Sequence, residues 1–119
     1  MRLQLRIVAG KWRGRKLSCR AAPHLRPTPE MVRQALFSIL GDAVPGRVFL
    51  DVFAGSGVVG LEAHSRGAGP VIMIERDVRL ANEITRHLQL FQAGPDVTVL
   101  RADAYRWVKT WEARKRLSS

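Results

Sequence analysis

Three acidic residues and a run of glycines carry most of the chemistry legible in this chain. Asp51 closes the apolar run that begins at Val48. Gly55, Gly57 and Gly60 follow at the spacing G-x-G-x-x-G, and Leu61 and Glu62 resume a helix-like composition. Glu75 ends a second apolar run, Val71-Ile-Met-Ile74, and Asp103 lies just past a third at 97–101. A strand, a ligand-cradling turn and a helix N-terminus have this pattern, because glycine permits positive φ and close approach of the backbone to a ligand.

The glycine spacing alone fits two ligand classes, dinucleotides and S-adenosyl-L-methionine. An acid about 20 residues beyond the turn, as Glu75 is, holds ribose hydroxyls. Asp51 discriminates between the two. A dinucleotide brings an anionic pyrophosphate to the turn, where a further carboxylate repels it. S-adenosylmethionine has no phosphate and carries an ammonium and a sulfonium, so Asp51 favours the methyl donor. The same residues also have a purely structural reading, in which Asp51 caps the turn and the glycines pack helix on strand. Asp103 has two compatible roles, acceptor for an adenine amino group and N-cap of the helix that follows.

The elements that must position these residues alternate. Residues 3–9 and 15–18 read as two strands of a hairpin around the turn 10–14, with Trp12 near its tip, and 19–27 as a linker. A helix is expected after Thr28 as N-cap and Pro29 at its first position, with Val32, Ala35, Leu36, Ile39 and Leu40 as its core face and Gly41 as its end. Arg33 then falls on the outer side. Strand 48–53, a helix from about 57 to 66, strand 71–75, a helix capped by Asp77 and running to about Phe91, strand 97–101 and a helix from Ala104 to about Arg116 complete the order. Strand–helix alternation implies an α/β fold of parallel βαβ units with right-handed crossovers. Its ligand lies beyond the carboxyl ends of the strands, where Asp51, Glu75 and Asp103 stand.

Composition bounds the partners. The 119 residues suffice for one small domain, and 46% apolar residues is ordinary for a globular chain. No apolar stretch approaches the roughly 20 residues of a membrane span. The N-terminus lacks a signal-peptide pattern, and the one cysteine, Cys19, fits a reducing cytoplasm. Twenty Lys and Arg face ten Asp and Glu, for a net charge of +10. Residues 1–29 hold Arg2, Arg6, Lys11, Arg13, Arg15, Lys16, Arg20 and Arg26 and no acid. Such a field attracts a phosphate backbone. Arg26 and Arg33 are candidate phosphate contacts, and Trp12 either stacks on a base or covers the apolar side of the hairpin.

Five segments resemble the RsmD-type methyltransferases in order: Arg6-Ile-Val-Ala-Gly-Lys-Trp-Arg-Gly-Arg-Lys-Leu17, Leu25-Arg-Pro-Thr28, Val32-Arg-Gln-Ala-Leu-Phe37, Asp51-Val-Phe-Ala-Gly-Ser-Gly-Val-Val-Gly-Leu-Glu-Ala63 and Ser65-Arg-Gly-Ala68. The resemblance implies a Rossmann-like S-adenosylmethionine-dependent methyltransferase fold, here the N-terminal half of its parallel sheet, preceded by a basic β-hairpin. It implies an extension over 1–27 that meets RNA and a donor-binding domain over 28–119. It implies transfer to the N2 amine of a guanine in small-subunit ribosomal RNA or its assembly intermediate. Asp51, Phe53, Ala54, Gly55, Ser56 and Gly57 would surround the methionine moiety, Glu75 the ribose, and Ala102 with Asp103 the adenine. Arg6, Lys11, Arg13, Arg15, Lys16 and Arg26 would address RNA.

The chain departs from the family pattern in two places. His64 stands where the family more often has an apolar residue, and is expected to be a helix-surface or packing residue rather than a base. The family's catalytic motif, Asn or Asp followed by Pro-Pro and an aromatic, accepts hydrogen bonds from the amine and stacks on the flipped guanine. No such tetrapeptide occurs here, and Pro70 and Pro95 stand alone. The expectations that follow are no catalytic residue and no metal site in this chain, an exposed edge at strand 48–53, and a chain that covers that edge by dimerising through it, by swapping elements or by pairing it with the N-terminal hairpin. The alternative function is a non-catalytic module that binds RNA.

Overall fold

A computed structural model of the chain describes residues 2–20 and 26–118. Strands β1 (Arg2–Arg6) and β2 (Lys16–Arg20) form an antiparallel hairpin, with Arg2 opposite Arg20 and Arg6 opposite Lys16. Helix α1 (Glu30–Leu40) follows. Then β3 (Phe49–Asp51), α2 (Val58–Ser65), β4 (Val71–Glu75), α3 (Val78–Leu90), β5 (Val97–Arg101) and α4 (Ala104–Ser118) alternate. The three later strands pair in parallel in the order β3-β4-β5, so β3 is an open edge among the described residues. The fold is the α/β, Rossmann-like arrangement expected of the strand–helix alternation.

Helix α2 is buried on nearly every side because it lies between the sheet and the hairpin. Val58, Leu61 and Ala63 join the core with Val71 and Met73 of β4, Ile84 of α3, and Ile7, Trp12 and Leu17 of the hairpin. Two glycines make this closeness possible. A Cβ on Gly60 would stand 2.5 Å from Met73 Sδ, and one on Gly10 would stand 1.9 Å from the Ser65 carbonyl oxygen. Gly10 also has φ +87°, so any side chain there is strained as well as obstructed.

The sandwich takes the backbone of the first loop out of water, and its N–H groups need acceptors. Glu62, fully buried in α2, supplies them. Val8 N–H donates to Oε1 at 3.0 Å and Ala9 N–H to Oε2 at 3.1 Å. Arg33 Nη1 donates to Glu62 Oε1 at 2.9 Å and to the Arg6 carbonyl at 2.8 Å, while Arg66 Nε donates to Oε2 at 3.0 Å. Ser65 adds a second tie: its Oγ donates to the Ala9 carbonyl at 2.6 Å and accepts from Trp12 N–H at 2.9 Å. On the far side, Glu83 accepts from Arg20 N–H, and His87 Nε2 donates to the Ser18 carbonyl at 2.9 Å.

This network overturns several expectations. Arg33 is 1% exposed and paired with Glu62, so it is not an outward phosphate contact. Helix α1 buries Arg33 and Phe37, and its expected core residues Val32, Ala35 and Ile39 are exposed, Ile39 at 82%. Leu36 and Leu40 of the expected face do pack against the core, but the helix is rotated so that Arg33 meets Glu62 and the rest of the apolar stripe turns outward with Met31. Pro29, in extended conformation, is the N-cap, while the carbonyl of the expected cap Thr28 accepts from Arg33 Nε at 3.3 Å. Trp12 is buried, with its ring 4.9 Å from His64 and 5.1 Å from Phe91, so neither face is free for a base. Of the expected linker 19–27, Cys19 and Arg20 belong to β2, and 21–25 lie outside the described residues.

Removing one partner of a buried ion pair leaves an uncompensated charge and typically costs about 3–5 kcal/mol. Glu62→Gln keeps the shape, loses the charge and strands Arg33. Urea unfolding is expected to show a loss of that order. A change below about 0.5 kcal/mol, the usual scale of an exposed substitution, would contradict the role given to Glu62.

Candidate functional site

The carboxyl ends of the three parallel strands meet at one edge of the sheet. The registers Asp51 opposite Met73 and Glu75 opposite Arg101 place Asp51 and Glu75 there, and Asp103 follows β5 by two residues. Between them runs the glycine loop. Ala54 N–H donates to the Ile74 carbonyl at 3.1 Å and Gly57 N–H to the Ala54 carbonyl at 2.8 Å. Gly55 and Gly57 have φ of +55° and +82°, which let the chain turn from β3 into α2. A Cβ on Gly55 would meet nothing within 4 Å, so open space borders the loop at that point.

Glu75 fastens the loop to β4. Its Oε1 accepts from Gly55 N–H at 2.9 Å and its Oε2 from Asp77 N–H at 2.7 Å. Each oxygen keeps a lone pair for a further donor. Asp77 caps α3, with Oδ1 accepting from Arg79 N–H at 2.8 Å and Leu80 N–H at 3.1 Å. Asp103 caps α4 through Arg106 N–H at 3.1 Å, as its structural role predicts, and lies 3.8 Å from Arg76 Nη1.

Asp51 is held differently. Its Oδ1 accepts from Phe53 N–H at 3.2 Å. Burial pushes its pKa above the ordinary carboxylate value, the Phe53 hydrogen bond opposes that, and the nearby Glu75 charge adds to the rise. A half-buried carboxylate beside a second one has no ion-pair partner among the described residues, and a positively charged ligand group would supply one.

Two adjoining clefts open at this edge. The larger, of about 580 Å³, is lined by Asp51, Phe53, Ala54, Gly55, Ser56 and Glu75 among others. The smaller, of about 300 Å³, is lined by Phe53, Glu75, Ala102, Asp103 and Tyr105. Their volumes suit a small organic ligand. The acids line both clefts and suit a molecule with cationic and hydroxyl groups better than a pyrophosphate. Of the residues expected around a methyl donor, eight line one or both clefts. The ninth, Gly57, lies one residue beyond Ser56 and turns the chain into α2.

The cations expected to meet RNA have diverse surroundings. Arg13 and Lys16 are exposed. Lys11 is exposed with its Nζ 5.0 Å from the centre of the Trp12 ring. Arg6 pairs with Glu30 at 2.6 Å. Arg15 lies 4.2 Å from the centre of the Phe91 ring and donates to the Leu90 carbonyl at 3.2 Å, where it closes the C-terminus of α3. Arg26 lines the larger cleft instead of extending the hairpin. His64 is buried against Trp12 with neither ring nitrogen hydrogen-bonded, and burial, then Lys11, push its pKa down. It packs in the core.

Among the residues that border the clefts and that the sequence did not assign to the site are Arg20, Thr28, Arg76 and Tyr105. Arg76 was legible as the residue after Glu75. Tyr105, whose ring is 6.1 Å from that of Phe53, carried no signal.

Known proteins supply a frame for this geometry. The family described as Conserved hypothetical protein 95 matches residues 5–117. Ribosomal RNA small subunit methyltransferase D of Escherichia coli K12 is 44% identical over 91 residues, which are 76% of this chain and 46% of that protein. The protein of the same name in Haemophilus influenzae is 41% identical over 93 residues, 78% of this chain and 48% of its own. A solved structure from Escherichia coli, named "Putative methyltransferase yhhF", is 40% identical with a TM-score of 0.76, over 87% of this chain and 56% of that one. A solved hypothetical protein of Thermus thermophilus is 31% identical with a TM-score of 0.75, over 93% and 63%. The chain therefore spans about half the length of the curated relatives it matches.

The state of Asp51 has a consequence for stability. Its folded pKa lies above the unfolded one, so its contribution to stability is full below the unfolded pKa and is lost as pH rises through the folded pKa. As pH rises through that folded pKa, ionisation of Asp51 therefore weakens the fold. Asp51→Asn is expected to leave stability unchanged or raise it in urea unfolding at about pH 7, and to weaken the pH dependence above the ordinary Asp value. A loss above about 1 kcal/mol would contradict this reading.

Proposed function

The chain belongs to the Conserved hypothetical protein 95 family, the RsmD family its sequence resembles, and on that premise we propose that it binds S-adenosyl-L-methionine at the strand ends. It would form the donor-binding half of a methyltransferase acting on the N2 amine of a guanine in small-subunit ribosomal RNA. The observation that carries this reading is Asp51, half-buried beside Glu75 and in no ion pair among the described residues.

When bound, the donor would supply an electrophilic methyl carbon, to which the guanine amine adds as the carbon–sulfur bond breaks. Asp51 would balance the ammonium, and the open space at Gly55 would admit the methionine chain. Glu75 would accept from the ribose hydroxyls with its remaining lone pairs. Ala102 and Asp103 would border the adenine. The exposed Lys11, Arg13 and Lys16 would meet phosphates of the RNA, a contact whose strength falls with salt. Catalysis also needs acceptors that draw charge off the reacting amine. The relatives' longer chains leave room for such groups outside this segment.

A second reading, a module that binds RNA without transferring methyl groups, is favoured by the absence of an Asn/Asp-Pro-Pro-aromatic tetrapeptide from the sequence. Methyl transfer to under-methylated small subunits by this chain alone would refute it. Light scattering on the same sample tests pairing through the open β3 edge, where a compact species of 13.3 kDa would rule out the proposed dimer.

Calorimetric titration with S-adenosylhomocysteine tests the leading reading. Binding is expected, and Asp51→Ala should weaken it about tenfold or more, the scale of a lost hydrogen bond to a charged group. A folded chain that does not bind, or a variant that binds equally well, would refute it.

A further inference from the structure

The larger cleft has a basic component that the acids do not explain. Arg20, Arg26 and Thr28, contributed by the N-terminal segment, line it together with Asp51, Glu75 and Arg76. Taking S-adenosylmethionine as the ligand, an inference that rests on the reading above, its amino-acid end is a zwitterion. Asp51 answers the ammonium. The α-carboxylate, desolvated in the same cleft, needs a cation of its own.

Three arginines line the cleft, and their surroundings separate them. Arg76 approaches Asp103 at 3.8 Å and also lines the smaller cleft. Arg20 lies at the end of β2, gives its N–H to Glu83, and also lines a third depression beside Arg2, Glu83 and Arg86. Arg26 pairs with no carboxylate among the described residues and lines the larger cleft. It precedes Pro27, Thr28 and Pro29, a segment whose prolines restrict φ. The Thr28 carbonyl accepts from Arg33 Nε at 3.3 Å, and Arg33 is locked to Glu62. Arg26 thus stands two residues from an anchor in the buried network, on a stiff piece of chain.

We infer that Arg26 receives the α-carboxylate of the donor's amino-acid end, so that the N-terminal segment is part of the donor site. The planar guanidinium can accept that group in a bidentate pair, which gives orientation as well as attraction. Arg26 and Asp51 would then fix the two ends of the zwitterion, and the chirality of the α-carbon would be read by their opposition. The assignment moves Arg26 from the set expected to meet RNA to the set that holds the donor.

The test is a calorimetric cycle with two ligands and two proteins. The ligands are S-adenosylhomocysteine and its decarboxylated counterpart, S-adenosyl-3-thiopropylamine. The proteins are the unchanged chain and Arg26→Gln, with the exposed Lys109→Gln as a charge control. Arg26→Gln is expected to weaken S-adenosylhomocysteine about tenfold, the scale of a charge-assisted pair, and to leave the decarboxylated ligand unchanged. The unchanged chain should bind the decarboxylated ligand more weakly by a similar factor, and Lys109→Gln should alter neither. Equal weakening of both ligands would show a structural role for Arg26 and overturn the inference. So would unaltered S-adenosylhomocysteine affinity in Arg26→Gln, with or without weaker binding to a ribosomal RNA fragment. If the unchanged chain binds neither ligand, the donor reading itself fails.

Discussion

A single buried carboxylate, Glu62, holds this chain together as one body. Four donor groups converge on it: the N–H groups of Val8 and Ala9, and the guanidinium groups of Arg33 and Arg66. They come from the hairpin loop, from α1 and from the end of α2 itself. A buried ion pair alone is weak evidence for stability, because desolvation offsets the attraction. Here the carboxylate also satisfies backbone donors that the packing of the loop against α2 removes from water. An apolar residue at position 62 would leave those donors orphaned, so the packing of the hairpin and the charge on α2 require each other.

Two further acids at the strand ends show how burial divides structural from functional duty. Glu62 has both oxygens saturated by fixed partners. Glu75 uses one lone pair on each oxygen to shape the glycine loop and retains the others. Asp51 has one backbone N–H at 3.2 Å and a like charge nearby, and its proton affinity is raised accordingly. Satisfaction falls from Glu62 to Glu75 to Asp51, and availability to a ligand rises in the same order. The least satisfied group is the one a cationic ligand end would relieve, at a cost in stability while the site is empty. The network that docks the N-terminal segment also anchors Thr28, so the same interactions that build the core deliver one wall of the cleft.

Much of this was legible in the residues. Strands 71–75 and 97–101 and the helix capped by Asp77 follow from apolar runs, a good cap and Gly94. The acids at strand ends follow from parallel topology. The errors have a common cause. Helix α1 has an apolar stripe, but its rotation is set by Arg33 seeking Glu62, a partner 29 residues away that periodicity cannot see. Trp12 sits among cations in sequence yet is buried against His64 and Phe91, because the hairpin lies flat on α2 and α3. Glu62 itself left one readable trace, an acid that follows the apolar run Val58-Val-Gly-Leu61 within the helix, which signals a buried partner.

The strand-end carboxylates and the glycine loop they hold are the proposed receptor of the donor. The most direct measurement is an amide-resolved NMR titration of the chain with S-adenosylhomocysteine. Binding there predicts that the N–H signals of Phe53, Gly55, Asp77 and Ala102 shift together, because the first three donate to Asp51 or Glu75 side chains and the fourth to the Glu75 carbonyl. The Val8 and Ala9 signals, held by Glu62, should stay in place. Shifts confined to the hairpin, or a spectrum of a folded chain that does not change, would contradict it.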